Sequence, residues 1–235
     1  MKKAVFFDVD DTLYDHLIPF RKAVRQWTDH LAEFPYEKAY HRMRYYSDIL
    51  SLEFGGAGQM EEGASTEIMR RKRFQLALQE FSILLTEQEA EQVQQTYLEC
   101  QFDIECFEGA RELLVELQEN GYDVGVLTNG AEAHQWKKVR ALGLDQIIPL
   151  NRIFVSGSYG IDKPDPNIFH LINDRIGIPA ERCMYIGDSW RNDVIGATNA
   201  GWSMIWFNHR AQQQESGIRL QGDVKDYKEL KDLLL

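Results

Sequence analysis

The stretch Ala4-Val5-Phe6-Phe7-Asp8-Val9-Asp10-Asp11-Thr12-Leu13 decides the reading of the chain. Its four leading apolar residues run without polar alternation, which suits a strand covered on both faces, as in a parallel sheet. The residues that follow end that strand in carboxylates. Four more runs have the same character: Val124 to Leu127, Ile153 to Val155, Met184 to Ile186 and Met204 to Phe207. Most are separated by helical patterns. Between 109 and 119, Ala110, Leu113, Leu114 and Leu117 recur at helical spacing, and Asn120-Gly121 follows as a stop before the Val124 strand. The expected core is therefore a parallel α/β sheet.

The gap between the first and second runs exceeds the usual crossover by far. Residues 15–102 are expected to form an inserted lobe, with 1–14 and 103–235 making the core. The insertion is rich in Glu, Gln, Arg and aromatic residues at helical spacing and shows no strand pattern, so it reads as several helices. Gly55-Gly56-Ala57-Gly58 reads as a loop that divides it.

Composition narrows the partners. The 235 residues, 44% hydrophobic, suffice for a sizeable core. A formal charge of -11 gives no general attraction to nucleic acid or to an anionic membrane, so any bound phosphate must be held by local positive charge. Cys100, Cys106 and Cys183 lack metal-ligand spacing and read as idle thiols of a reducing compartment. Only four apolar residues follow Met1-Lys2-Lys3 before Asp8, too few for a secretory segment, and no run approaches a membrane span. A cytoplasmic location is expected.

Four loops at the carboxyl ends of the expected strands carry polar residues that packing does not require. They are Asp8, Asp10 and Thr12; Thr128-Asn129-Gly130; Lys163-Pro164-Asp165-Pro166; and Gly187-Asp188-Ser189 with Asn192-Asp193. Singly, each reads as a turn or a helix cap. Together they can meet, because the ligand crevice of an open parallel sheet lies outside these strand ends. Converging carboxylates about 4 Å apart repel by roughly 4 kcal/mol per pair at an effective dielectric near 20, so a cation is required. Oxygen ligands without His or Cys suit magnesium.

In order and spacing, Asp8-Val9-Asp10-Asp11-Thr12, Thr128-Asn129, Lys163-Pro164 and Gly187-Asp188-Ser189 with Asn192-Asp193 resemble the four motifs of the haloacid dehalogenase-like hydrolase superfamily. The resemblance covers the whole core and implies a Rossmann-like, three-layer α/β fold with an all-helical cap inserted after the first motif. It further implies a magnesium-dependent phosphatase acting on a small phosphorylated metabolite. Asp8 would be the nucleophile that becomes an aspartyl phosphate, and Asp10 the acid and then the base. Thr128, Asn129 and Lys163 would bind the phosphoryl group. Asp8, the Asp10 carbonyl and Asp188 would hold magnesium, with Thr12 and Asp193 supporting them and Asp193 orienting Lys163.

Related chemistries stand beside this one. Carbon–halogen cleavage dispenses with the acid at Asp10, and its presence speaks against that reaction. Phosphomutases share all four motifs. Phosphonate cleavage needs a cap lysine, for which Lys22 and Lys38 qualify by position only, and both read as surface lysines. A non-enzymatic phospho-acceptor module needs neither Asp10 nor a long cap. The pattern is similar to members that dephosphorylate nucleoside monophosphates, with sugar phosphates and phosphoglycolate as rivals; the oligomeric state is not legible. Tyr14, Asp15, His16 and Phe20 follow the nucleophile loop closely and are expected near the hinge of the insertion, with His16 read as a surface or helix-start residue. Tyr36, Tyr40, Arg44, Tyr45 and Tyr46 read as helix-packing residues, and Arg191 as part of an exposed salt bridge.

Overall fold

The computed structural model describes residues 2–53, 64–215 and 217–235. The loop expected at Gly55 to Gly58 lies outside them. The chain divides into two compact units, Met1–Asp15 with Glu105–Leu235, and His16–Ile104.

The first unit is built on a six-stranded sheet: β1 (Ala4–Phe7), β2 (Asp123–Thr128), β3 (Ile153–Val155), β4 (Cys183–Gly187), β5 (Ser203–Phe207) and β6 (Gly222–Val224). Every pairing is parallel and the order is β3-β2-β1-β4-β5-β6. Five strands coincide with the apolar runs. The sixth is a three-residue edge strand, Gly-Asp-Val, whose one buried apolar residue, Val224, leaves no run to detect. At its start β2 includes Asp123, a buried carboxylate held by Arg152 and Lys2, so a charge sits where hydropathy marks no strand.

Helices cover the strands: α5 (Ala110–Glu119) packs on β2, α6 (Glu132–Ala141) on β3, α8 (Ile195–Asn199) on β5 and α9 (Tyr227–Leu234) on β6. The buried face of α5 is Ala110, Leu113, Leu114 and Leu117, as its spacing predicts. The helix α7 (Pro166–Ile176) starts where its chemistry dictates: Asp165 accepts from the Asn167 amide, Pro166 takes the first turn, and Gly177 closes the far end at φ 69°.

The second unit contains α1 (Leu17–Thr28), α2 (Tyr36–Glu53), α3 (Ala64–Gln79) and α4 (Glu87–Cys100), with no strand among its described residues. Its core centres on Phe20, Tyr40, Phe74 and Tyr97; Phe20 lies 6.2 Å from Phe74 and 5.7 Å from Tyr40, ring centre to ring centre. Thr86 and Glu89 form a reciprocal capping box at the start of α4. Among the described residues no helix is long and apolar enough to cross a membrane.

Strand packing leaves no room at Gly125. A Cβ there would lie 2.3 Å from the Phe6 ring and 2.6 Å from the Arg152 carbonyl oxygen, and the latter is backbone that cannot rotate away. Gly125→Ala is expected to destabilise the protein by about 1–3 kcal/mol through overpacking, read as a lower midpoint in urea unfolding at unchanged slope.

Candidate active site

The strand order reverses between β1 and β4, so the loops leaving these two strands diverge and open a crevice at their carboxyl ends. Asp8 follows β1 directly, and its amide donates to the Ile186 carbonyl 2.8 Å away. Asp188 follows β4, and Thr128 ends β2 one strand over.

The centre of this crevice is Lys163, which is buried with its ammonium 2.7 Å from Asp8 Oδ1, 2.7 Å from Asp193 Oδ1 and 2.7 Å from the Tyr185 hydroxyl. The Tyr185 hydroxyl in turn donates a hydrogen bond to the Leu127 carbonyl oxygen at 2.6 Å. Three donors thus meet three acceptors around a buried cation. Burial pulls the Lys163 pKa down, but Asp193 and Asp8 overcome it and carry it up to about 12. Burial pushes Asp8 up to about 7 even against the attraction of Lys163, with Asp193 and Asp10 adding repulsion. Asp8 is therefore short of positive charge.

Its neighbours supply a place for that charge. One carboxylate oxygen each from Asp8, Asp188 and Asp193 lie within 4.8 Å of one another. Asp193 is drawn in by the wide helical turn Trp190–Val194: Ser189 bonds the Asn192 amide, and the Ser189 amide donates to Asp193 Oδ2 at 2.9 Å. Gly187 permits this approach, since a Cβ there would sit 2.3 Å from Asp193 Oδ2 and 2.8 Å from its Cβ. Thr12, fully buried, receives the Asp188 amide at 3.1 Å and donates to its Oδ1 at 3.4 Å.

Asp10 faces a different environment. Lys138 Nζ lies 2.8 Å from both of its carboxylate oxygens, the Tyr14 hydroxyl donates to Oδ1 at 2.6 Å, and Gln135 approaches Oδ2 at 3.4 Å. Sequence reasoning missed Lys138, Gln135 and Tyr185. The available signal was two polar residues three apart, Gln135 and Lys138, beside the apolar Val139 on α6; all three are buried. With Asp8, Asp10, Asp188 and Asp193 against Lys138 and Lys163, four negative charges meet two positive ones. The two that remain match a divalent cation, and the donors are all oxygens.

Asn129 ties the second and third loops together: its side-chain amide donates to the Lys163 carbonyl at 2.8 Å and its oxygen accepts the Lys163 amide at 2.9 Å. In the first loop, Asp11 takes the left-handed conformation at φ 60° and is anchored by Arg210, which also reaches Asp15. Outside the cluster, Arg191 is exposed and makes no ion pair among the described residues, against the salt bridge expected of it; its stretch forms a turn that buries Trp190 against Trp206 instead. His16 stands at the start of α1 but is buried, because its ring stacks on Tyr97 and hydrogen-bonds at both nitrogens. Of the tyrosine run, Tyr40 is buried and Tyr45 exposed. Lys38 is exposed, and Lys22 is an exposed partner of Asp103. All three cysteines are free thiols.

The structure is that of a parallel α/β protein with an oxygen-rich carboxylate centre at its switch point. The haloacid dehalogenase-like hydrolase family matches residues 2–201, and the chain belongs to that family. It is 29% identical to a glyceraldehyde 3-phosphate phosphatase of Methanothermobacter thermautotrophicus, with 100% of each chain covered. It is 26% identical to a pyrimidine 5'-nucleotidase of Escherichia coli, over 98% of this chain and 96% of that one. The hydrolase YfnB from Bacillus subtilis, in a crystal form bound to magnesium that reveals interdomain movement, superimposes with a TM-score of 0.73 at 25% identity, covering 99% of this chain and 98% of that one.

Tyr185→Phe would leave the buried Lys163 ammonium one acceptor short. A loss of about 1–3 kcal/mol in unfolding free energy is expected, measured by urea denaturation.

Proposed function

We propose that this chain is a magnesium-dependent phosphatase that hydrolyses a small phosphate monoester through an aspartyl phosphate on Asp8. The observation that carries the reading is the separation of two carboxylates only two residues apart into unlike environments. Asp8 lies against Lys163, and Asp10 is held by Lys138 and Tyr14. A cation beside Asp8 would offset the burial that raises its carboxyl and leave it ionised as the nucleophile, with Asp10 as the acid–base group.

In this reading an Asp8 oxygen attacks phosphorus, the ester oxygen departs with its electron pair, and protonated Asp10 gives it a proton. Asp10, now ionised, accepts hydrogen bonds from Lys138 and Tyr14 as it does here, and takes a proton from the water that attacks the aspartyl phosphate. Phosphate leaves and Asp8 is restored. The Thr128 hydroxyl and the backbone N–H of Asn129 bind phosphoryl oxygens, and Lys163 neutralises charge there. Asp8, Asp188 and the Asp10 carbonyl would hold a magnesium ion that would supply the remaining positive charge, while Asp193 keeps Lys163 in place. The helical unit, residues 15–102, serves as the cap.

Two substrate groups have specific support. The Escherichia coli relative points to nucleoside monophosphates, and the Methanothermobacter relative to triose phosphates.

Hydrolysis of para-nitrophenyl phosphate should cease in excess chelator and return with added magnesium; persistence in chelator would remove the metal. Asp8→Asn should lower kcat by more than about 10^4-fold and abolish trapping of a phosphorylated enzyme. Asp10→Asn should lower kcat by about 10^2–10^4-fold on an alkyl phosphate and by less on an aryl one, whose leaving group needs no proton. A panel of pyrimidine nucleotides, triose phosphates and phosphoglycolate, with products identified, should give one group at least tenfold higher kcat/KM; a phosphorylated isomer as product would assign a mutase instead.

A further inference from the structure

A carboxylate that gives a proton to a departing oxygen and later takes one from water must keep its direction through both steps. Asp10 receives one restraint from its own loop, where the Tyr14 hydroxyl donates to Oδ1 at 2.6 Å. The others come from α6. Lys138 Nζ lies 2.8 Å from Oδ1 and 2.8 Å from Oδ2, so a single ammonium spans both oxygens and fixes the plane of the carboxylate as well as its place. The lysine side chain is 3% exposed, which sets this pair apart from the solvent-screened contacts that hold side chains only loosely.

Gln135 stands one turn earlier on the same face of α6 and is buried as well. Its Nε2 donates to the Asn129 carbonyl at 2.8 Å and lies 3.4 Å from Asp10 Oδ2. It therefore stands between the acid–base carboxylate and the residue whose backbone N–H meets a phosphoryl oxygen in the proposed reaction. Packing does not ask for either side chain. The neighbouring Val139 shows what this face buries when packing decides, and burying an ammonium or an amide is unfavourable unless polar partners answer it.

We propose that Lys138 and Gln135 are positioning residues for Asp10: Lys138 aims the carboxylate, and Gln135 keeps it in register with the loop Thr128-Asn129-Gly130. The proposal rests on the phosphatase reading. Both residues act through Asp10, so their loss falls on the two steps that need it, protonation of a poor leaving group and activation of water against the aspartyl phosphate. Departure of an aryl oxide needs neither. A misplacement of about 1 Å in such a group costs about 10^2-fold in rate and leaves substrate binding in place.

The test is rapid-mixing kinetics of the full chain in excess magnesium, with para-nitrophenyl phosphate and glycerol phosphate as substrates. Lys138→Met should release about one equivalent of nitrophenol in a fast phase and then turn over slowly, with phosphorylated enzyme accumulating. On glycerol phosphate it should show no fast phase, a kcat at least about 30-fold lower, and a KM within about threefold of the unmodified protein. Lys138→Arg should recover part of the rate. Gln135→Leu should show the same pattern at about tenfold, and it decides the matter should Lys138→Met fail to fold. An equal loss on both esters without a fast phase, or no recovery in Lys138→Arg, marks a merely structural role and overturns the proposal; so does an unchanged kcat on glycerol phosphate. Any of these in a chain whose unmodified form turns over overturns this inference alone. An unmodified protein that hydrolyses neither ester and traps no phosphate overturns the phosphatase reading, and this proposal with it.

Discussion

The ammonium of Lys163, held between Asp8 and Asp193 at 2.7 Å from each, is the contact around which the core's loops are arranged. A cation buried to this degree survives only if each of its protons meets an acceptor, and the chain gathers those acceptors from two neighbouring strands and the turn after one of them: Asp8 after β1, Tyr185 within β4, and Asp193 in the turn beyond β4. Removing any one disturbs the others.

Parallel pairing makes such gathering geometrically inexpensive. Every strand presents its carboxyl end on one side, and the reversal of order between β1 and β4 parts the loops there. Asn129 then joins the Thr128 loop to the Lys163 loop by two reciprocal hydrogen bonds, which fixes the two loops to one another. Gly187 and Gly125 are positions where a methyl group has no room, the first against the Asp193 side chain and the second against the Phe6 ring and the Arg152 carbonyl oxygen.

Much of this was legible in the sequence because it rests on local signals. Buried parallel strands are continuous apolar runs, and five of the six were visible for that reason; Gly222–Val224 was not, since an edge strand with one inward residue carries no pattern. The acidic loops, Lys163 and Thr128-Asn129 were visible as polar residues at strand ends. Lys138 and Tyr185 were not, because a lysine in a helix and a tyrosine in a strand look like ordinary surface and core residues until tertiary packing aims them at carboxylates. Arg191 and His16 show the converse: residue type suggested a surface ion pair and a helix start, and packing of the neighbouring Trp190 and Tyr97 decided the outcome in each case.

Asp11 carries an implication for how this loop can vary over generations. A left-handed backbone at φ 60° restricts the position to glycine, asparagine and aspartate as the inexpensive choices. Aspartate accepts some torsional discomfort, but it alone of the three brings a charge that Arg210 can grasp. Glycine would relax the turn while taking one of its carboxylate partners from the arginine, which keeps Asp15. Residues 11 and 210, nearly two hundred positions apart, should therefore drift as a pair, with the acid lost only in lineages where the base has lost its use.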